Sequence, residues 1–169
     1  MKPLLVRDLM TVGVPTCKRD SPVQDIARFL LDQDVEAMCV LDEEGHGIGV
    51  VGAAELARAY GREASDSATA EDVMSEGVPE LQADLPLAVA AQLMQDQGTR
   101  IAYMMHNAAG ITYPAAYISF KHLLRHIAAR SEEDLKDLGT AAARKSPLAQ
   151  FIERRDEARR RILGQEQKK

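Results

Sequence analysis

The amino-acid sequence predicts an α+β protein made of two strand, helix, strand, strand, helix (β-α-β-β-α) repeats, followed by a charged C-terminal helix. Three observations lead there: an internal duplication at a spacing of 64 residues, the same order of periodic segments in each copy, and a reversal of charge near residue 140.

The duplication is ungapped. Asp8 falls on Asp72, Met10 on Met74, Gly13-Val14-Pro15 on Gly77-Val78-Pro79, Asp20 on Asp84, Pro22 on Pro86, Ala27 on Ala91, and Asp32-Gln33 on Asp96-Gln97. That makes ten identities in the 26 positions from 8 to 33. Each Gly-Val-Pro opens a strand, and a helix signal follows. Ser21 is expected as the N-cap, Pro22 as the first helical residue, and Gln24 as the far member of a capping box. Val23, Ile26, Ala27, Leu30 and Leu31 then recur at helical spacing, as do Leu87, Ala90, Ala91 and Met94. Asp34 and Gly98 suit the left-handed residue that ends a helix.

Two strands follow in each copy, expected over 35–41 and 48–51, then 99–105 and 115–119. A polar, glycine-bearing turn joins each pair, from Asp42 to Gly47 in the first copy and around Asn107 to Gly110 in the second. Helices over 53–60 and 120–130 close the copies. A sheet covered by helices on one face leaves the other bare, so two such units are expected to bury their bare faces against each other. The expected boundaries are 1–66 for the first repeat, 67–130 for the second, and 131–169 for a linker and charged helix.

Bulk properties narrow the function classes. With 169 residues, 46% hydrophobic and 28% charged, the chain can build a core and has no disordered or fibrous signature. The N-terminus lacks the apolar run of a signal peptide and no segment reaches the roughly 18 apolar residues of a membrane span. A cytoplasmic protein with no membrane contact is therefore expected. The two cysteines, Cys17 and Cys39, stand in short apolar segments and read as core residues. Residues 1–139 carry 12 Lys and Arg against 22 Asp and Glu, whereas residues 140–169 carry 9 against 4. An acidic body thus precedes a basic tail.

Residues 5–130 resemble a tandem pair of CBS (cystathionine β-synthase) domains, the Bateman module. The resemblance rests on the Asp-x-Met openings at 8–10 and 72–74, the Asp-x-Pro helix starts, the stretch MCVLDEEGHG, and GIGVVGAAEL standing where the family has a Gly-hydrophobic run ending in [ST]-x-x-D. It implies two sheets related by a pseudo-twofold axis, with two clefts that bind adenosine compounds such as AMP, ADP, ATP or S-adenosylmethionine to regulate a partner. No cofactor is required for the fold. In that family the hydroxyl of [ST]-x-x-D approaches phosphate and the Asp holds the ribose.

Both motif positions depart from the pattern. The first copy has Gly52 and Glu55; the second has Ser119, after Ile118, and His122. The resemblance groups Gly52 and Glu55 with Val78, Pro79, Ile101 and Ala102, and with Arg100 as a phosphate partner. It groups Ile118, Ser119 and His122 with Thr11, Val14, Pro15, Thr16, Ala37 and Met38. Glu55 is the preferred ribose partner, and Ser119 a phosphate or capping residue. The same spacing also forms a helix capping box, so a purely structural role stands beside the ligand role.

Other constellations read as structure. His122 and His126 are four apart on a helix, and His46 and His106 occupy turns, but no acidic or cysteine partner is fixed nearby, so a solvated face is expected rather than a metal site. No nucleophile triad or phosphate loop is present and catalysis is not expected. In the tail, Ser146-Pro147 starts and Gly164 stops a helix in which Leu148, Phe151, Ile152, Ala158 and Ile162 run beside Arg154, Arg155, Arg159, Arg160 and Arg161. Such a helix is marginal alone and is expected to dock. Charge complementarity favours a homodimer, an effector protein is a second target, and nucleic acid is disfavoured because the body is acidic. Two functions remain: a nucleotide sensor, or a dimerisation or adaptor module with vestigial clefts.

Overall fold

Apolar spacing at 3.6-residue periodicity becomes two helices of equal length in the computed structural model, which describes residues 4–62 and 67–129. The expected C-terminal helix and its docking lie outside the described residues. In chain order the elements are α1 (Val6–Leu9), β1 (Thr11–Val12), β2 (Thr16–Lys18), α2 (Val23–Asp32), β3 (Ala37–Leu41), β4 (Gly47–Gly52) and α3 (Ala53–Gly61). The second copy supplies α4 (Ala70–Val73), β5 (Ser75–Glu76), α5 (Leu87–Asp96), β6 (Ile101–Ala108), β7 (Ile111–Ser119) and α6 (Phe120–Ala128). No described helix is long and apolar enough to cross a membrane.

Two sheets form, ordered β2-β3-β4-β5 and β1-β7-β6. Each therefore contains a strand from the other copy. β1 pairs antiparallel with β7, and its 64-residue counterpart β5 pairs antiparallel with β4. The exchange repeats in the backbone hydrogen bonds on either side of the axis. Val6 N–H donates to the Leu85 carbonyl at 2.9 Å and Ala70 N–H to that of Ser21 at 2.8 Å. Leu87 N–H donates to Leu4 at 2.8 Å and Val23 N–H to Ala68 at 3.1 Å; Cys39 N–H donates to Pro15 at 3.0 Å and Tyr103 N–H to Pro79 at 2.8 Å. Every pair is related by the same shift in both donor and acceptor, so the pseudo-twofold axis is built from the main chain itself.

That exchange explains a departure from the expected helix starts. Pro22 is not the first helical residue but the N-cap, extended at ψ 138°, and Pro86 repeats this at ψ 136°. Each bridges the other copy, Pro22 with Thr69 and Pro86 with Leu5. The backbone at 21–23 is used for cross-repeat pairing, so Ser21 cannot cap α2; its Oγ accepts the Lys18 N–H at 3.1 Å instead. The helix ends are as expected. Asp34 and Gly98 have φ of 51° and 64°, and the Val35 and Thr99 N–H groups reach back to the Leu30 and Met94 carbonyls at 3.2 and 2.9 Å.

β3 shows how the core divides. Met38 and Val40 face α2, clustering with Ile26, Leu30 and Val51. Ala37 and Cys39 point the other way and meet Ile101 and Tyr103 of the opposite sheet, with Val50. Val14 and Val78, equivalent by the repeat, both pack on this inter-sheet cluster. A strand covered on both faces reads as a continuous apolar run. Cys39 is fully buried there, and burial pushes its thiol up to about 12. The second hairpin is longer than the sequence suggests. β6 and β7 run up to a two-residue turn, Ala109-Gly110, in which both residues have positive φ, and Pro114 lies within β7 opposite Met105 at a register shift. The strand expected over 115–119 extends back to Ile111, through a proline that local patterning disfavours inside a strand.

Candidate functional site

Helices α3 and α6 start at pseudo-equivalent corners, each directly after the last strand of its copy. Both starts have orphan backbone N–H groups to satisfy, and both use the side chain at the third helical position. At α3, the Gly52 N–H donates to Glu55 Oε2 at 3.1 Å, and the Ser75 hydroxyl donates to Glu55 Oε1 at 2.9 Å. At α6, the Ser119 N–H donates to His122 Nδ1 at 3.1 Å, and His122 Nε2 lies 2.8 Å from Thr11 Oγ1. Ser75 and Thr11 are related by the repeat, one on each exchanged strand. In both corners, therefore, one side chain ties its own helix start to the strand donated by the other copy.

The two corners differ in what lies beyond that tie. Around Glu55 opens a cavity of about 680 Å³, with apolar walls from Ala37, Val50, Val78, Pro79 and Ile101. Its polar lining comes from Glu36, Ser75, Glu76, Thr99, Arg58 and Arg100, and the backbone at Gly52, Ala53 and Ala54 completes it. Walls from both copies meet there. The Glu55 side chain keeps 13% exposure, with Arg58 Nη2 at 3.6 Å from Oε1. Two carboxylate oxygens offer about four acceptor positions, so accepting from Gly52 and Ser75 leaves capacity for a ligand. The cavity falls within the size range of small-molecule sites.

The equivalent acceptor at α6, His122, is itself buried. The residue is 3% exposed and Ser119 is 1% exposed. The Ser119 hydroxyl also lies 3.1 Å from Nδ1, and the imidazole stands edge-on to Tyr117, with ring centroids 5.4 Å apart at 86°. Because Nδ1 accepts a main-chain N–H, the ring proton resides on Nε2, which donates to Thr11. Burial, reinforced by Arg125 and Lys121, pulls this imidazole down to about 4, so it is neutral at ordinary pH.

Of the residues grouped with Glu55 by the sequence, Gly52, Val78, Pro79, Arg100 and Ile101 line the same cavity, whereas Ala102 is fully buried and does not. Of those grouped with His122, Thr11 and Ser119 bond it, and Ile118 is fully buried. Val14 packs on the inter-sheet cluster and Thr16 pairs with Cys39 in β3. Pro15 gives its carbonyl to Cys39, and Met38 packs towards α2. Ala37 lies with the other set, lining the Glu55 cavity, because it sits opposite Gly52 in the β3–β4 ladder.

Gly52 itself is more than a lost hydroxyl. A Cβ there would lie 2.6 Å from the Glu36 carbonyl oxygen and 2.8 Å from the Ala37 Cβ, so the backbone packing admits no side chain. Sequence reasoning missed Ser75, Glu36 and Arg58. The repeat would have found Ser75, since it aligns with Thr11. Among the described residues, no group of three or more His, Cys, Asp or Glu side chains is placed to hold a metal ion.

Comparison with known proteins agrees with this architecture. Residues 6–62 match the family model of the CBS domain. The fold is similar to that of the CBS domain pair of protein MJ0100 in complex with 5′-methylthioadenosine and S-adenosyl-L-methionine, at a TM-score of 0.64 and 17% identity, covering 74% of this chain and all (100%) of that one. It is likewise similar to the CBS domain protein PAE2072 from Pyrobaculum aerophilum complexed with AMP, at a TM-score of 0.60 and 16% identity, over 81% of this chain and 99% of that one. A homoserine O-acetyltransferase from Methanobrevibacter ruminantium is 35% identical over 74 residues, 44% of this chain; the match spans only 14% of that enzyme's length. Residues 6–62 thus match a CBS domain, and the fold of the described residues is that of a CBS-domain pair.

Proposed function

We propose that this protein is a non-enzymatic regulator that binds an adenine nucleoside or nucleotide in the Glu55 cavity. The observation that carries the reading is a carboxylate with spare acceptor capacity lining a cavity whose walls come from both copies. Val50, Val78, Pro79 and Ile101 offer apolar surface to a purine, and Glu55 accepts from the ribose diol. Arg100 and the N-terminus of α3 favour the phosphates of AMP, ADP or ATP, while Glu36 and Glu76 favour the cationic sulfonium of S-adenosylmethionine. Because both copies contribute walls, occupancy shifts how they pack, which is the signal a partner reads. The MJ0100 pair with 5′-methylthioadenosine and S-adenosyl-L-methionine, and the PAE2072 protein with AMP, support the choice of ligand class.

A thermal-shift series with AMP, ADP, ATP and S-adenosylmethionine tests the reading. A ligand at 100 times its dissociation constant adds about 2.7 kcal/mol. A rise in melting temperature that Glu55→Ala abolishes supports the proposal; no rise with any of the four contradicts it. The buried and internally bonded His122 favours the second reading, an adaptor module with vestigial clefts, for that corner. We further propose that two copies associate. Leu124 and Ile127 of α6, 63% and 76% exposed, support this, and sedimentation analysis tests it.

A further inference from the structure

We propose that His122 converts the second pseudo-symmetric cleft into a structural latch, so that the chain offers a diol-bearing ligand one site, at Glu55, and not two. The inference rests on the nucleoside reading of the Glu55 cavity and extends it to the other corner.

The argument is a count of hydrogen-bonding capacity. A neutral imidazole has one in-plane lone pair and one N–H. At His122 the lone pair faces the Ser119 N–H and hydroxyl, both at 3.1 Å, and the N–H is directed to Thr11 Oγ1 at 2.8 Å. Nothing remains for a ribose diol, which needs an acceptor for two hydroxyl protons. Glu55, at the equivalent position, meets the same two internal demands and pairs with Arg58 at 3.6 Å, yet its roughly four acceptor positions exceed the two hydrogen bonds it accepts. Space points the same way: His122 is buried against Tyr117, whereas Glu55 lines an open cavity.

The latch also joins the copies. Thr11 belongs to the exchanged strand β1, and His122 to α6 of the other copy, so the bond fastens the strand exchange at this corner. Among the described residues, Lys121 and Arg125 of the same helix, with Tyr117 of β7, are the titratable groups that bear on the ring. Both cations oppose a positive charge on His122. A protonated Nδ1 would also point an N–H at the Ser119 N–H. The neutral tautomer with the proton on Nε2 is thus the one the corner accepts.

Two measurements on the full chain decide the matter. Isothermal titration with AMP and with S-adenosylmethionine should give one ligand per chain, with affinity falling at least about tenfold in Glu55→Ala. Two ligands per chain, or binding that survives Glu55→Ala unchanged, overturns the proposal. Nitrogen-15 NMR of the histidine rings should show His122 as the neutral Nε2–H tautomer, with no titration between about pH 8 and 5.5. A ring that titrates with an ordinary midpoint overturns the latch whether or not a ligand binds. If neither probe binds while His122 shows the expected tautomer, the nucleoside reading of Glu55 fails and the latch stands.

Discussion

The starts of α3 and α6 occupy equivalent corners of one duplicated body, yet the acceptor at one, Glu55, lines a cavity of about 680 Å³ and the acceptor at the other, His122, is buried. Both solve the same local problem, an unpaired N–H at a helix start, with an acceptor three residues on. The difference is the acceptor's surplus. A carboxylate can cap the helix, hold the neighbouring strand and still receive a ligand; an imidazole that does the first two is used up. A duplicated fold can thus keep two equivalent scaffolds while the acceptor type, carboxylate against imidazole, sets how much hydrogen-bonding capacity each corner keeps beyond its internal bonds.

The largest expected effect that separates the corners is acid sensitivity. His122 is held at about 4 against an ordinary 6.5. The unfolded chain therefore takes up a proton first as pH falls, and stability is lost progressively from about pH 6.5 down to about pH 4. With 1.36 kcal/mol per unit, this amounts to on the order of 3 kcal/mol. Urea denaturation across that range should show the loss, and His122→Asn should flatten it. Next in size is Gly52→Ser. The new Cβ meets the Glu36 carbonyl, so about 1–3 kcal/mol should be lost rather than a phosphate-binding hydroxyl gained. Denaturant midpoints of the variant check this.

Smaller effects sharpen the same contrast. Thr11→Val leaves the buried Nε2–H of His122 without an acceptor and should cost about 1–2 kcal/mol. Ser75→Ala removes the matching tie at Glu55, but Glu55 keeps the Gly52 N–H and some solvent, so the cost should stay under about 1 kcal/mol. Equal losses in the two variants would erase the distinction between a latch and a lip.

Much of the fold was legible because the signals were local and doubled. Helical spacing over Val23–Leu31 and the left-handed residues Asp34 and Gly98 needed only neighbours in sequence. The strand exchange was not legible. β1 and β5 have two residues each, too short for periodicity to register, and their pairing is set by partners about 100 and 26 residues away. Pro22 reads locally as a helical first residue and is extended only because the other copy claims its neighbours' backbone. At the site, the family resemblance grouped Glu55 with Gly52, Val78, Pro79, Arg100 and Ile101, which line one cavity, and with Ala102, which does not. That Gly52 reflects close packing against Glu36, and that Ala37 belongs to the Glu55 cavity, depend on the β3–β4 register, which no local pattern encodes.

Chemical-shift mapping of the full chain with an adenine nucleotide tests the central claim most directly. The account predicts saturable shifts at Gly52 to Glu55, Val78 and Ile101, with Thr11, Ser119 and His122 unmoved. Shifts centred on Ser119 and His122, or none at saturating nucleotide, would contradict it.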